Sequence, residues 1–446
     1  MRKKDKLLEK DGFNLGHEPE VVNLMKWLKL KDWTPCYRMR VAKFQSTDRG
    51  LQVLEHVKEG SVIVSIPIEA CVTRYYLSTS WVGEILAEHF EKFSTQVLLS
   101  FWLAIEKDKF VKPHLVKNLN PQLETDKDLN PLLEKDADLK PYPGLDDHWK
   151  PYINYLPNEY SLPLYYNQTE LSALPGYISS HVYNQENIIQ QSYLLLKEYF
   201  TDLNINRYTW GYSTVNTRAV YLEKDPRDSG KGERGENTLA LVPFLDLLNH
   251  SDDVSVEAGI NIKQSRDGGG YYYEIKVDQD TSKFSELFIC YGKHSNTKLL
   301  TEYGFHLGKG NQNEHIKVEL EELINFLKLR YNISNIKAKL DLLEKAGLVS
   351  NLGISEGHLP WNLQAVIYIL MMDPSKINEW HKVYLQDLFQ PLHSVILSFL
   401  QFILQYVNSC LVNMMAVQCP SKYFSYAISL VQFHVQMLKS CINVYT

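Results

Sequence analysis

The sequence predicts an α+β protein: a split β-rich domain, interrupted by a helical insertion and followed by an all-α C-terminal domain. Three observations carry this. Short β-rich segments gather in two places, residues 41–72 and 239–305. Helical periodicity dominates much of the intervening chain. After Gly308 the pattern is helical to the end, with breaks at Pro374, Pro391 and Pro420.

Taken in order, residues 11–35 read as helix, with Val21, Leu24, Met25, Leu28 and Leu30 on an apolar stripe ahead of Pro35. Residues 1–40 are therefore expected to be an N-terminal helical segment. The first β-rich part, 41–90, holds "GLQVLEHV", the turn Lys58-Glu59-Gly60 and "SVIVSIP". Helical periodicity returns over 81–110, and the insertion is assigned to 91–235. Within it, 118–147 repeats three ten-residue units: NLNPQLETDK, DLNPLLEKDA and DLKPYPGLDD. Each unit has too few apolar residues to form a core, so an exposed, mobile loop without chemistry is expected. Residues 148–166 are dense in aromatics and prolines, 185–220 read as helix, and 229–237 as an exposed loop. The second β-rich part, 236–308, contains "GGGYYYEIKV" and "SELFICYG"; 309–446 is the helical domain.

Bulk properties narrow the function. The 446 residues are 44% hydrophobic and 22% charged, an ordinary globular balance. A net charge of −6 argues against clamping nucleic acid by bulk charge. The N-terminal MRKKDKLLEK has no apolar run behind its basic residues, so it does not read as a secretory signal. Six cysteines without a CxxC pair suggest neither a zinc cluster nor a disulfide framework, and point to the reducing cytosol or nucleus. Between His393 and Ser421 no charged residue occurs. Gln401, Gln405, Asn408 and Asn413 interrupt that run, which favours a packed helix over a membrane span.

The stretch FLDLLNHSDD (244–253) raises the chemical question. Alone, Asn249-His250 reads as a turn. Its neighbours change that. ICYGKHSNTKLLTEYGF (289–305) lies downstream, VNTRAVYL (215–222) upstream, and before them come TDRGL (47–51) and WKPYINYLP (149–157). This ordered set resembles the SET-domain methyltransferases, in the branch of the plant Rubisco large-subunit lysine methyltransferase, whose members carry a helical C-terminal domain. The resemblance runs from about Val41 to the 380s and fades from about residue 390. It implies a knot-like crossing at the cofactor site and S-adenosylmethionine as cofactor. By the same resemblance, Asn249 and the backbone at His250 hold the cofactor, with Asp246, Leu247 and Leu248 leading in. Arg218 pairs with its carboxylate, Arg49-Gly50 supplies backbone donors, and Tyr303-Gly304-Phe305 packs along it, Phe305 facing the adenine. Tyr291 is the expected catalytic tyrosine and also borders the cofactor. One departure stands out: Asp48 occupies the place of the first glycine in the Gly-x-Gly with which many SET domains begin this loop.

The acceptor is expected to be a lysine of a protein, histone or non-histone. A related branch methylates a histidine of actin and holds the imidazole with polar groups. Here the matching channel positions are Val220 and Leu245, and neither side chain hydrogen-bonds. A histidine methyltransferase and a catalytically inactive SET-fold binding protein are the alternatives. The latter predicts damage at Arg218, Asn249 or Tyr291, all of which are intact. No metal is expected, because His250 has only Asp246 and Asp252-Asp253 nearby in sequence. A monomer in cytoplasm and nucleus, contacting neither nucleic acid nor membrane, completes the expectation.

Overall fold

The computed structural model describes residues 12–107, 147–222, 225–227, 238–263, 270–384 and 392–446. The repeat at 118–147, apart from Asp147, and the loop at 229–237 lie outside the described residues. The chain divides into two compact units: Met1–Tyr160 with Asn187–Gly292, and Ser161–Glu186 with Lys293–Thr446.

The first unit is built on two sheets. The larger takes Phe13–Asn14 (β1), Met39–Phe44 (β2) and Asp48–Val53 (β3) as antiparallel neighbours, with Met39 opposite Val53 and Phe44 opposite Asp48. The smaller is antiparallel and holds Val62–Pro67 (β4) at one edge. Val220–Leu222 (β5) and Thr238–Ala240 (β6) form a separate two-stranded ribbon. Asn249–His250 (β7) adds to the larger sheet, Glu257–Lys263 (β8) and Gly270–Lys276 (β9) complete the smaller one, and Glu286–Ile289 (β10) returns to the larger. There β10 runs antiparallel to β3 and parallel to β7, with Phe288 opposite Asn249 and Ile289 opposite His250. Parallel neighbours need a crossover. The chain makes it by leaving β7, passing through the β8–β9 hairpin of the other sheet, and re-entering as β10.

The helices run in chain order as follows. Pro19–Leu30 (α1) buries Val21, Leu24, Trp27 and Leu28. Arg74–Ser78 (α2) and Trp81–Leu86 (α3) are short, and Thr95–Lys107 (α4) is buried on nearly every face. Lys150–Tyr155 (α5) and Gln168–Ala173 (α6) follow. Gly176–Lys197 (α7) begins in the second unit and ends in the first. Ile205–Arg218 (α8) is capped by Asn204, whose side chain accepts from the Asn206 and Arg207 amides. Against α4 it approaches closely at Gly211, where a Cβ would lie 2.4 Å from the Ser100 carbonyl oxygen. Cap and contact together fix Arg218 at the helix's last position.

The second unit is helical apart from a ribbon of Ile316–Lys317 (β11) and Gly353–Ile354 (β12). It comprises α6, the start of α7, Asn296–Tyr303 (α9), Leu320–Tyr331 (α10), Ile336–Lys345 (α11), Trp361–Met371 (α12), His393–Met415 (α13) and Phe424–Tyr445 (α14). Helix α13 is long and apolar enough to cross a membrane by length and composition. Its Val395, Ile396, Phe399, Leu400, Ile403 and Val407, spaced three and four apart, belong to the unit's core. Gln401, Gln405 and Asn413 are exposed.

Three boundaries read from the sequence change. The expected all-helical segment 1–40 contains β1, because Phe13 and Asn14 pair with Lys43 and Ala42. The insertion 91–235 contains β5. The helical unit begins at Lys293 rather than 309 and includes Ser161–Glu186. Leu300 of α9 and Ile178 of α7 sit in its core with Leu323 and Leu363, and this shared burial sets the division.

Candidate active site

The chain reaches β7 through a constrained turn. Phe244 has φ +72, a conformation a bulky side chain adopts only under strain of about 1–3 kcal/mol. Its buried ring lies 4.6 Å from that of Trp33, and this packing holds the turn. Leu245–Leu247 then make one 3-10 turn, Leu248 is extended, and β7 begins. Asn249 ties three strands together: its Nδ2 donates to the Arg49 carbonyl at 3.1 Å and to Glu286 Oε1 at 2.8 Å. Glu286 also accepts from Thr47 Oγ1 at 2.7 Å. Burial raises the Glu286 pKa, against the lowering effect of these two bonds. At Gly50 a Cβ would lie 2.5 Å from Glu286 Oε1 and 2.7 Å from Asn249 Nδ2, so a side chain there would push this hydrogen-bonded pair aside.

Arg218, delivered by the end of α8, donates from Nη1 to the Asp246 carbonyl at 2.8 Å and lies 3.6 Å from Asp246 Oδ2. That same oxygen accepts from Tyr152 Oη at 3.1 Å. Burial opposes the Arg218 charge, but Asp246 and the surrounding tyrosines outweigh it and hold the guanidinium protonated. Burial likewise raises the Asp246 carboxyl, with Arg218 acting the other way. Burial also raises the Tyr152 and Tyr155 phenols, so both remain neutral donors. Arg49 lies 4.2 Å over the Tyr155 ring and donates from Nη2 to the Tyr155 carbonyl at 3.2 Å. Among the described residues, Arg218 Nε, Asp246 Oδ1 and the Tyr155 hydroxyl are buried without a hydrogen-bond partner. Such atoms are rare in a folded interior and invite a ligand or water.

Tyr291 follows β10 and is held at three points. Its amide donates to His250 Nδ1 at 3.1 Å, its ring stacks on the His250 imidazole at 5.2 Å and 29°, and its hydroxyl donates to the Leu248 carbonyl at 2.8 Å. Burial lowers the His250 pKa, with Asp252 acting the other way.

The structure places Arg49, Gly50, Arg218, Asp246, Leu248, Asn249, His250 and Tyr291 in the first unit, with Arg218 on Asp246, Asn249 on Arg49 beside Gly50, and Tyr291 on His250 and Leu248. Leu245 and Leu247 are buried in the connecting turn, and Val220 is half-buried at the start of β5. Tyr303, Gly304 and Phe305 belong to the second unit. There Gly304 ends α9 in the left-handed conformation at φ +82, and the Tyr303 ring stacks on His294 at 6.0 Å. Sequence reasoning missed Tyr152, Tyr155, Glu286 and Thr47, although Tyr152, Tyr155 and Thr47 lie inside the motifs WKPYINYLP and TDRGL. It recorded Asp252 only as a flanking acid. Among the described residues no group of three His, Cys, Asp or Glu is arranged to hold a metal ion.

No family model matches the chain. Human SET domain-containing protein 4 is 28% identical over 395 residues, 85% of this chain and 78% of that protein. The ribosomal lysine N-methyltransferase set11 of Schizosaccharomyces pombe is 30% identical over 155 residues, 35% of this chain and 36% of that protein. The actin-histidine N-methyltransferase of Xenopus tropicalis is 30% identical over 181 residues, 38% of this chain and 28% of that protein. Among solved structures, the SET domain of LSMT bound to lysine and AdoHcy matches with a TM-score of 0.63 at 15% identity, covering 96% of this chain and 91% of that one. With its β7–β10 crossing and its helical second unit, the chain has the fold of the LSMT SET-domain structure and is similar over most of its length to SET domain-containing protein 4.

Proposed function

We propose that the protein is an S-adenosylmethionine-dependent protein N-methyltransferase acting on a lysine side chain. The observation that carries this reading is Arg218. It is a partly buried, permanently charged guanidinium whose buried Nε lacks a partner, fixed at a helix end beside the β7–β10 crossing. A planar carboxylate fits that donor, and the amino acid portion of S-adenosylmethionine carries one. The ligands in neighbouring structures support the same choice: LSMT has been solved with AdoHcy and with AdoMet. Asn249 and the His250 backbone, with Arg49-Gly50 beside them, are the remaining proposed contacts in this unit.

When bound, the cofactor supplies an electrophilic methyl group on a sulfonium. The chain's part is to present the amine. At neutral pH, freeing a lysine of its proton costs about 4.6 kcal/mol from its reference pKa. An aromatic, water-poor channel and a neighbouring positive charge reduce that cost. The Tyr291 hydroxyl commits its proton to the Leu248 carbonyl, so its oxygen serves as an acceptor for an amine N–H. Accepting that hydrogen turns the nitrogen lone pair toward the methyl group. Orientation then does most of the remaining work, with no strong base.

Lysine is favoured over histidine because Val220 and Leu245 offer no hydrogen bond to an imidazole. The lysine named for set11 and for the LSMT complex agrees; the actin-histidine enzyme of Xenopus tropicalis matches 38% of the chain against 35% for set11, so the preference rests on Val220 and Leu245. The proposed enzyme works as a monomer in cytoplasm and nucleus on a protein substrate. Titration calorimetry with S-adenosylmethionine, repeated with chelator, tests the binding. Binding heat that survives chelation is expected, and absence of binding heat contradicts the reading.

A further inference from the structure

His250 enters the proposed site through its backbone, yet its side chain is engaged as well. The imidazole is buried, and Nδ1 accepts the Tyr291 amide hydrogen at 3.1 Å. A nitrogen that accepts carries no proton, so the neutral ring holds its hydrogen on Nε2. Nε2 lies 3.0 Å from Asp252 Oδ1, and the two side chains are 0% and 8% exposed. On the other face the ring stacks on the Tyr291 phenol. Ser251, between the two residues, donates its amide to the Ile289 carbonyl, so the His250–Asp252 turn is anchored to the strand that leads into Tyr291.

We propose that Asp252 and the His250 imidazole form a positioning device for Tyr291, with Asp252 selecting the tautomer and orientation of the ring that sets the Tyr291 phenol against the Leu248 carbonyl. This rests on the reading of Tyr291 as the catalytic tyrosine. Neither Asp252 nor His250 Nε2 touches the reacting atoms in this account. The logic is that of an outer partner fixing an imidazole, which in turn fixes the working group. A buried carboxylate seeks a positive or donating partner, and Nε2 lies within 3.0 Å of Asp252 Oδ1, close enough to serve as one although the two are not aligned as a hydrogen bond. Protonating Nδ1 removes the acceptor for the Tyr291 amide, so the device is intact only while the ring is neutral. Burial favours that neutral form. The groups facing the ring are the Asp252 carboxylate from its own loop, and the Tyr291 phenol and Ile289 carbonyl from the β10 side.

The test compares wild type with Asp252→Asn, Asp252→Glu and Tyr291→Phe. It reads kcat and KM for methyl transfer to a lysine-bearing protein substrate across pH, cofactor affinity by calorimetry, and melting temperature. Asp252→Asn is expected to lower kcat about tenfold with cofactor affinity and melting temperature near wild type, and Asp252→Glu to recover part of the loss. Because the Asp252 charge favours His250 protonation, its removal is expected to move the acid limb of the kcat profile to lower pH. A residue that merely supports the fold would leave that limb in place. Tyr291→Phe slow, with Asp252→Asn unchanged in both kcat and acid limb, overturns the positioning role alone. Tyr291→Phe at wild-type turnover overturns the underlying reading and the proposal with it.

Discussion

The phenol of Tyr291 donates to the carbonyl of Leu248 at 2.8 Å, across the parallel pairing of β7 with β10. The crossing therefore does more than close a sheet, because it brings the tyrosine that follows one strand onto the residue that precedes the other. Removing this single hydroxyl tests its part in turnover. Tyr291→Phe keeps the ring stacked on His250, so cofactor affinity by calorimetry should stay near wild type while kcat falls by about a hundredfold or more. Tyr303→Phe, which keeps the ring stacked on His294 in the second unit, should lower kcat only slightly.

Arg218→Lys keeps the charge but loses Nε and the planar fork. Cofactor affinity measured by calorimetry should weaken by about tenfold to a hundredfold, the worth of one charge-assisted hydrogen bond. The melting temperature is the control, because the lysine still faces Asp246.

The loop before Gly50 carries a backbone prediction. Asp48 has φ +60, the conformation a glycine adopts freely, so the chain keeps the path expected of a glycine there while bearing an aspartate. Its ion pair with Lys43 is exposed and contributes little. Asp48→Gly should be neutral or stabilise by up to about 1 kcal/mol in a denaturant melt. Gly50→Ala, which forces a Cβ toward Asn249 and Glu286, should destabilise by about 1–3 kcal/mol.

A pH-dependent contribution sits away from the site. Asp225 accepts from Thr73 Oγ1 at 2.6 Å and from Arg227 Nη2 at 2.6 Å. Burial raises its pKa, but the bonds from Arg227 and Thr73 outweigh burial and hold the carboxyl below its ordinary value. A depressed carboxylate contributes stability that is present above its unfolded pKa and lost as pH falls through the folded value. Asp225→Asn should therefore cost about 2 kcal/mol at pH 7. In urea melts the gap from wild type should narrow as pH falls below about 4.

Much of the site was legible because its residues stand in short motifs whose order identifies them. Arg218, Asn249, His250 and Tyr291 were named that way, and all four lie in the first unit. Their supports were harder to read. Tyr152 meets Asp246 across 94 residues of sequence and Asn249 meets Glu286 across 37, and no local pattern announces such pairs. Strand β1 escaped because two residues carry no periodicity. Helix α13 carries no Asp, Glu, Lys or Arg to mark an exposed face. Its exposed face instead carries uncharged Gln401, Gln405 and Asn413.

The most direct test of lysine methylation is to incubate the purified protein with methyl-labelled S-adenosylmethionine and cell extract, then map the label by mass spectrometry. Label is expected on lysine Nζ of one or a few proteins, lost with Tyr291→Phe. Label confined to histidine, or none transferred by a chain that binds the cofactor, would contradict it.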